Sequence, residues 1–112
     1  MPDMLYVGLQ DDDKIAVFAL EGDNGALTKQ ADVAAAGGPS VMAISPDRNT
    51  LYVGCRTRPS IASYRIDPAT GRLSLSGTAA QADAPTFLAL DRTGRYMLCA
   101  YYQGGDVAVY LY

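Results

Sequence analysis

Short segments of this 112-residue chain recur at an interval of 46 residues. The matching segments are LYVG at 5–8 and 51–54, IAVF at 15–18 with IASY at 61–64 and VAVY at 107–110, GALT at 25–28 with GRLS at 71–74, Pro39 with Pro85, and Ala43 with Ala89. Only the turn after Ser45 is expected to slip, by one residue, against the turn after Asp91. One period shared by several segments indicates a chain built from one repeated structural unit.

Each copy of the unit contains short apolar runs with the alternation of β-strands. In the middle copy these runs lie at 39–45, 50–56, 60–66 and 73–79, separated by turns rich in Pro, Gly, Asp and Asn. Leu51, Val53 and Cys55 alternate with residues that face the other way. Four antiparallel strands in each repeat of roughly 40 to 50 residues are typical of a β-propeller blade. The sequence therefore predicts an all-β fold.

The blade strands are named A to D from the central channel outward. The repeat predicts a single partial propeller over residues 1–112, of about two and a half blades. Strands B to D of the first blade are expected in 1–34, a complete second blade in 35–80, and strands A to C of a third blade in 81–112. The alternating pattern continues to the last residues, so we expect the N-terminal part of a longer propeller.

Composition excludes several classes of protein. Apolar residues make up 49% of the chain, charged residues make up 19%, and the net charge is −3. These values disfavour a disordered chain and a basic nucleic-acid binder. Every apolar run is far shorter than the roughly 18 residues that a membrane span needs. We therefore expect neither nucleic acid nor membrane as a partner, and a cytoplasmic location, because residues 1–4 carry no hydrophobic signal core.

The chain has no His and only two cysteines, Cys55 and Cys99, which are far apart in the sequence. A Ser–His–Asp triad, a His-ligated metal and a His general base are therefore impossible within these residues. A zinc or iron–sulfur site is not expected from two isolated cysteines. We predict no metal and no cofactor.

The blade sequence resembles the propeller-type lactonases, which include the seven-bladed bacterial 6-phosphogluconolactonases and the fungal carboxymuconate-lactonizing enzymes. The segments that carry the resemblance are SPDRNTLYVG at 45–54, SYRID at 63–67, GRL at 71–73 and AYYQGGDVAV at 100–109, with Gln103 where the family usually has Asn. The resemblance covers the whole chain but only about the first third of a family member. It implies hydrolysis of 6-phosphoglucono-δ-lactone to 6-phosphogluconate, a step of the pentose phosphate pathway. The family's His and acidic candidates lie in later blades, so the catalytic residues are unknown here.

Five residues are candidates for binding a phosphorylated sugar lactone, because propellers gather their B–C and D–A loops at one face around the channel mouth. Two arginines in the second B–C loop, Arg56 and Arg58, can fork onto a phosphate or carboxylate. In the third B–C loop, which we expect to include Tyr101, the side chains of Tyr102 and Gln103 can bond to sugar hydroxyls. In the D–A loop before the third blade, Asp83 can act as a base or accept a hydrogen bond from a sugar hydroxyl.

Each of these candidates also has an ordinary structural interpretation. Arg56 can pair with a neighbouring Asp in a solvated loop, and the Tyr-rich segment can be a hairpin with one Tyr packed between blades. Three functions stay open at this point: part of a lactonase, a propeller binding module without chemistry, and an inactive chain whose only property is assembly. We also expect self-association through open blade edges at 106–112 and 4–9. The apolar residues expected to face water partly are Tyr96, Leu98, Ala108 and Tyr110.

Overall fold

Ten β-strands form three antiparallel sheets in the computed structural model, which describes residues 3–111. The strands are β1 Asp3–Leu9, β2 Lys14–Leu20, β3 Leu27–Ala34, β4 Pro39–Ile44, β5 Thr50–Cys55, β6 Ser60–Ile66, β7 Leu73–Ala80, β8 Phe87–Leu90, β9 Tyr96–Tyr101 and β10 Asp106–Leu111. A single 3₁₀ turn, Gln10–Asp12, joins β1 to β2. Met1, Pro2 and Tyr112, which the predicted blades include, lie outside the described residues.

The order of strands within each sheet follows the order of the chain. The sheets are β1-β2-β3, β4-β5-β6-β7 and β8-β9-β10, and every neighbouring pair is antiparallel. The second sheet has all four strands of a blade, whereas the first begins at the B position and the third ends at the C position. The prediction of an all-β chain of propeller blades is confirmed.

The repeat in the sequence is also a repeat in strand register. The cross-strand partners are Leu5 with Phe18, Leu51 with Tyr64, and Met97 with Tyr110. Each pair lies 46 residues after the one before. A register shift lies between Val17 and Phe18 in the first sheet and between Ser63 and Tyr64 in the second, again 46 residues apart. The predicted equivalence of Phe18, Tyr64 and Tyr110 is therefore confirmed.

The turns between the A and B strands, which follow Ser45 and Asp91, differ from the prediction. The N–H of Ser45 donates to the Thr50 carbonyl at 2.9 Å, and the N–H of Asp91 donates to the Tyr96 carbonyl at 3.0 Å. The Ser45 hydroxyl accepts from the Thr50 N–H, as the Asp91 carboxylate accepts from the Tyr96 N–H. The turns therefore keep the 46-residue interval, and the expected one-residue slip is wrong. Ser and Asp occupy the same position because either side chain supplies the acceptor oxygen.

The core lies between the sheets. One cluster of buried residues joins the first sheet to the second, and its members are Ile15, Ala35, Leu51, Val53, Cys55, Ala62, Tyr64 and Ile66. Another joins the second sheet to the third, and its members are Ile61, Leu88, Met97, Cys99 and Tyr101. On the inner side, β4 contacts both β1 and β8. Three sheets stacked face to face in this way form part of a β-propeller.

Candidate functional site

One end of the three sheets carries the loops that sequence reasoning selected. In an antiparallel blade the B–C loop and the D–A connection lie at the same end, because strands B and D run in the same direction. We call this end the loop edge, and it comprises residues 10–13, 35–38, 56–59, 81–86 and 102–105.

Hydrogen bonds fix the loops of this edge to one another. The Gly38 N–H donates to the Asp13 carboxylate at 2.9 Å, which ties the first sheet's loop to the connection that follows. The Arg56 N–H donates to the Gly38 carbonyl, also at 2.9 Å. In the third sheet the Tyr102 N–H donates to the Thr86 hydroxyl at 2.9 Å. The edge is therefore a connected framework, which suits a site that must hold its side chains in place.

Arg56 and Arg58 lie in the loop directly after β5. The N–H groups of Arg56, Thr57 and Arg58 all donate to the carbonyls of Gly37 and Gly38, at 2.9 to 3.1 Å. Both glycines have positive φ, and a β-carbon at Gly38 would lie 2.7 Å from the Thr57 hydroxyl oxygen. The Gly-Gly pair thus lets the arginine loop lie against the neighbouring connection. Arg56 is half-buried and Arg58 is exposed.

The ion pair of Arg56 with a neighbouring Asp, which was the alternative interpretation of this residue, does not form among the described residues. Among residues 3–111, ion pairs join only Lys14 and Lys29 to Asp32. The Arg58 guanidinium lies near Cys55, where its charge favours the thiolate. Burial outweighs this effect and raises the pKa of the Cys55 thiol. Because neither Arg56 nor Arg58 forms an ion pair among the described residues, both guanidinium groups are available to an anionic ligand.

Tyr102 and Gln103 form the tip of the hairpin between β9 and β10. Both side chains are exposed, and Tyr102 is exposed to 82%. Gly105 has a φ of 71° and donates its N–H to the Tyr101 carbonyl at 2.9 Å, which closes the turn. The tip therefore presents a phenol and an amide to solvent, two groups that bond to hydroxyls.

Asp83 lies in the connection that precedes β8 and contacts the same hairpin. Its carboxylate is so close to Gly104 that a β-carbon on that glycine would overlap it. Asp83 and Asp106 line a cleft of about 220 Å³ together with Gln81, Ala82, Tyr101, Val107, Ala108 and Tyr110. The structure thus brings Asp83 to the hairpin of Gln103. Neither Arg56 nor Arg58 lines this cleft.

Tyr101 is a core residue, so its placement in the B–C loop is wrong. It is the last residue of β9, it is buried, and its hydroxyl lies 2.5 Å from the Gln81 side-chain oxygen and 2.7 Å from the Tyr110 hydroxyl. Tyr110 also donates to Gln81, at 3.0 Å. Burial, with contributions from Cys99 and Tyr110, raises the pKa of Tyr101 far above its ordinary value. This three-residue cluster ties β9 and β10 to the connection that carries Asp83.

Sequence reasoning did not single out Gln81, Asp106 or Tyr110 as neighbours of the site. Gln81 follows β7 directly, and Asp106 begins β10. The signal available in the sequence was the 46-residue interval that pairs Tyr110 with Tyr64. The Tyr64 hydroxyl donates to the Ala34 carbonyl at 3.0 Å, at the end of β3. Because Tyr110 lies 46 residues after Tyr64, an equivalent contact of Tyr110 with the residues at the end of β7 could have been inferred.

The three sheets form part of a β-propeller, with the B–C loops and the D–A connections together at one end. The chain belongs to the family of seven-bladed β-propeller lactonases, whose family model matches residues 4–112. A comparison with curated proteins finds no match.

Solved structures of propeller lactonases resemble this chain. A candidate 6-phosphogluconolactonase of Bacteroides uniformis is 25% identical, with a TM-score of 0.85 over 96% of this chain and 32% of its own. The periplasmic gluconolactonase of Pseudomonas aeruginosa is 27% identical, with a TM-score of 0.85 and coverage of 96% and 32%. A second candidate 6-phosphogluconolactonase, from Bacteroides fragilis, is 21% identical, with a TM-score of 0.86 and coverage of 96% and 31%, and this likeness shows the fold.

The chain spans about a third of the length of each of these structures. Within residues 3–111, no helix is long and apolar enough to cross a membrane.

Proposed function

We propose that this chain supplies the loop edge of a lactonase that hydrolyses 6-phosphoglucono-δ-lactone to 6-phosphogluconate, as in the pentose phosphate pathway. The observation that carries the proposal is the family match over residues 4–112. Support for the substrate class comes from the Bacteroides uniformis and Pseudomonas aeruginosa structures, which are described as a candidate 6-phosphogluconolactonase and a periplasmic gluconolactonase. The substrate is a small phosphorylated sugar lactone.

In this proposal Arg56 and Arg58 hold the phosphate. A guanidinium binds two oxygens of a phosphate at once, and such charge-assisted hydrogen bonds are among the strongest in proteins. Arg56 suits the role because it is half-buried and its backbone is fixed to Gly38. Arg58, two residues later and exposed, adds a second positive charge to the same loop.

The sugar hydroxyls are bound by the third sheet's loops in the same proposal. Tyr102 and Gln103 donate hydrogen bonds to hydroxyl oxygens of the sugar, and the Asp83 carboxylate accepts a hydrogen bond from a sugar hydroxyl. The support is their position: Asp83 contacts the hairpin that carries the two other side chains. The hydrogen bonds of Gln81 with Tyr101 and Tyr110 keep that connection in place.

Lactone hydrolysis also needs a base to activate water and a group to stabilise the oxyanion. The 112 residues include no His, so a His base would have to come from outside them. We therefore propose that this chain binds the sugar phosphate but does not turn the lactone over by itself. The same observation favours the second candidate function, a propeller module that binds ligand without chemistry.

Calorimetric titration with 6-phosphogluconate, the stable product, tests the proposal. Because a charged hydrogen bond contributes about 1.5–3 kcal/mol, Arg56→Ala should weaken binding about tenfold or more. Arg72→Ala is the matched control, since Arg72 is an exposed arginine in the β6–β7 loop at the other end of the sheet. Gluconate, which lacks the phosphate, should bind more weakly and should not distinguish Arg56→Ala from the wild type.

The titration separates the two candidate functions when it is combined with a lactone hydrolysis assay. In an active full-length lactonase, Arg56→Ala should raise KM more than it lowers kcat, as a ground-state phosphate contact does. Binding without turnover, in a full-length protein, would instead identify a binding module. An affinity for 6-phosphogluconate that is the same in Arg56→Ala and the wild type would refute the role of Arg56.

We also propose a cytoplasmic location, supported by the two free, buried thiols of Cys55 and Cys99. The Pseudomonas aeruginosa structure is described as a periplasmic gluconolactonase, so the fold by itself does not fix the compartment. Fractionation of the source cells tests this, because recovery in the periplasmic fraction would contradict it.

A further inference from the structure

Two connections lead from the outer strand of one sheet to the next sheet, and they are held in different ways. The first connection, residues 35–38, is fixed by backbone hydrogen bonds. The Ala35 N–H donates to the Asp13 carbonyl at 2.9 Å, and two carbonyls of the connection accept from the N–H groups of residues 56–58. The Gly38 N–H donates to the Asp13 carboxylate. The loops on both sides thus hold this connection along its whole length.

The second connection, residues 81–86, keeps only part of this pattern. The Gln81 N–H donates to the Pro59 carbonyl at 2.9 Å, which repeats the bond of Ala35 after an interval of 46 residues. Pro59, however, has no carboxylate that could accept from the backbone further along. Residues 82–84 form no hydrogen bond with any other residue in the range 3–111. The segment that carries Asp83 therefore lacks the backbone bonds that fix its counterpart.

A side chain supplies hydrogen bonds where the backbone does not. Gln81 occupies the position that Ala35 has in the first connection. Likewise, Tyr101 occupies the position of Cys55. The Gln81 side-chain oxygen accepts from the Tyr101 hydroxyl at 2.5 Å and from the Tyr110 hydroxyl at 3.0 Å. Two phenols from β9 and β10 thus bind the carboxamide of the connection's first residue, which the alanine of the first connection could not provide.

The contact of Tyr110 is the one expected in a complete sheet. Tyr110 corresponds to Tyr64, which lies 46 residues earlier in the sheet that has all four strands. The Tyr64 hydroxyl also bonds to the end of the preceding outer strand, at the Ala34 carbonyl. The bond between Tyr110 and Gln81 therefore does not depend on the open edge of β10.

We propose that Gln81 is the residue that positions Asp83 in the sugar site. Its bonds to the two phenols fix the chain two residues before Asp83, in a segment with no hydrogen bonds of its own. This role rests on the proposed function, which gives Asp83 a sugar hydroxyl as its partner. A segment that is already ordered in the free protein does not have to be ordered when the ligand binds, so affinity rises.

Titration with gluconate and with inorganic phosphate tests the role of Gln81 in binding. Gln81→Leu keeps a side chain of similar size but removes the acceptor oxygen. It should weaken the binding of gluconate and of 6-phosphogluconate by the same factor, about threefold to tenfold, and leave that of inorganic phosphate unchanged. Gln30→Leu is the matched control, because Gln30 is exposed on β3 and bonds to the nearby Thr28 carbonyl. It should leave all three affinities unchanged.

A mutant cycle identifies the hydrogen bonds that carry the effect. Tyr101→Phe combined with Tyr110→Phe removes both hydroxyls and keeps Gln81, and it should weaken gluconate binding as Gln81→Leu does. Adding Gln81→Leu to this pair should weaken binding no further, because residues of one hydrogen-bond network are not additive. Full additivity would overturn the proposal. The two phenylalanine substitutions also provide the test if Gln81→Leu fails to fold.

Amide order parameters test the positioning without any ligand. In Gln81→Leu the order parameters of residues 82–84 should fall, whereas those of residues 35–38 should keep their wild-type values, because backbone bonds hold the first connection. Unchanged order parameters at 82–84 would overturn the proposal, and so would an equal loss of affinity for inorganic phosphate. A wild type that binds neither gluconate nor 6-phosphogluconate would refute the proposed function, while the order parameters would still decide whether Gln81 fixes the connection.

Discussion

Arg56 and Tyr102 occupy corresponding places in neighbouring sheets. Each is the first residue after a B-position strand, and the two are 46 residues apart. The equivalent residue of the first sheet is Gln10. The same backbone position thus offers an amide, a guanidinium and a phenol along one edge. A repeated fold can build an asymmetric ligand site in this way, because the backbone is constant while the side chain changes.

At the residue scale, Tyr101 should make the stability of the chain depend on alkaline pH. Tyr101→Phe removes a buried hydroxyl that bonds to Gln81 and Tyr110, which should cost about 1 kcal/mol at pH 7. The pKa of Tyr101 is raised in the folded chain, so the fold favours the protonated phenol. The stabilisation is complete below the unfolded-state pKa of about 10 and is lost as pH rises above it.

Urea unfolding at several pH values measures both effects. The wild type should lose stability above about pH 10, and Tyr101→Phe should lose less of it over the same interval. Some loss should remain in the variant, because burial also raises the pKa values of Tyr6 and Tyr64. Tyr96→Phe is the control, since Tyr96 is exposed. A pH dependence that is identical in Tyr101→Phe and the wild type would contradict this account.

At the scale of elements, alternation and turn residues located the strands of the second sheet closely. The predicted runs 39–45, 50–56, 60–66 and 73–79 became β4 Pro39–Ile44, β5 Thr50–Cys55, β6 Ser60–Ile66 and β7 Leu73–Ala80. The sequence pattern predicts these strands because side-chain alternation and turn chemistry depend only on residues close together in the sequence.

Contacts between sheets could not be predicted in the same way. The hydrogen bond of Tyr101 with Gln81 joins the third sheet to the residue that follows β7 of the second sheet, 20 positions away in the sequence. Such contacts depend on how the sheets stack, which no local pattern encodes. The misplacement of Tyr101 in a loop follows from this, and so does the failure to single out Gln81. Of the candidate site, the sequence located the loops but not the cleft at Asp83.

The stacking of the sheets depends on glycine at one strand position. A β-carbon at Gly54 would lie 2.6 Å from a Val41 methyl carbon and 2.9 Å from the Pro85 ring. Gly54→Ala should therefore destabilise the chain by about 1–3 kcal/mol, as overpacking of a core does. Gly77→Ala is the control, because Gly77 is also in a strand and a β-carbon there meets nothing within 4 Å.

Thermal or urea unfolding of both variants decides the point. Gly77→Ala should be neutral or slightly stabilising, because Ala has less conformational freedom to lose than Gly. If Gly54→Ala were as stable as Gly77→Ala, the close approach of Pro85 to β5 would not constrain how the second and third sheets pack.

At the scale of the whole molecule, the sheets depend on one another. The buried clusters lie between consecutive sheets, so each sheet completes the core of its neighbour. The outer face of the third sheet has no such neighbour among residues 3–111, and Phe87, Leu98 and Val109 are exposed there. The division into blades at 34/35 and 80/81 stays a prediction, although the sheets are consistent with it.

Amide chemical shifts report whether the loop edge binds the phosphorylated sugar. Titration of isotope-labelled chain with 6-phosphogluconate should shift the amide signals of residues 56–58, 83–84, 86 and 102–105 in a saturable way. The turns at 45–50 and 91–96, at the opposite end of the sheets, should stay unchanged. Arg56→Ala should weaken the response at all three loop segments together. Shifts confined to the opposite turns, or no saturable shift at the loop edge, would contradict the account.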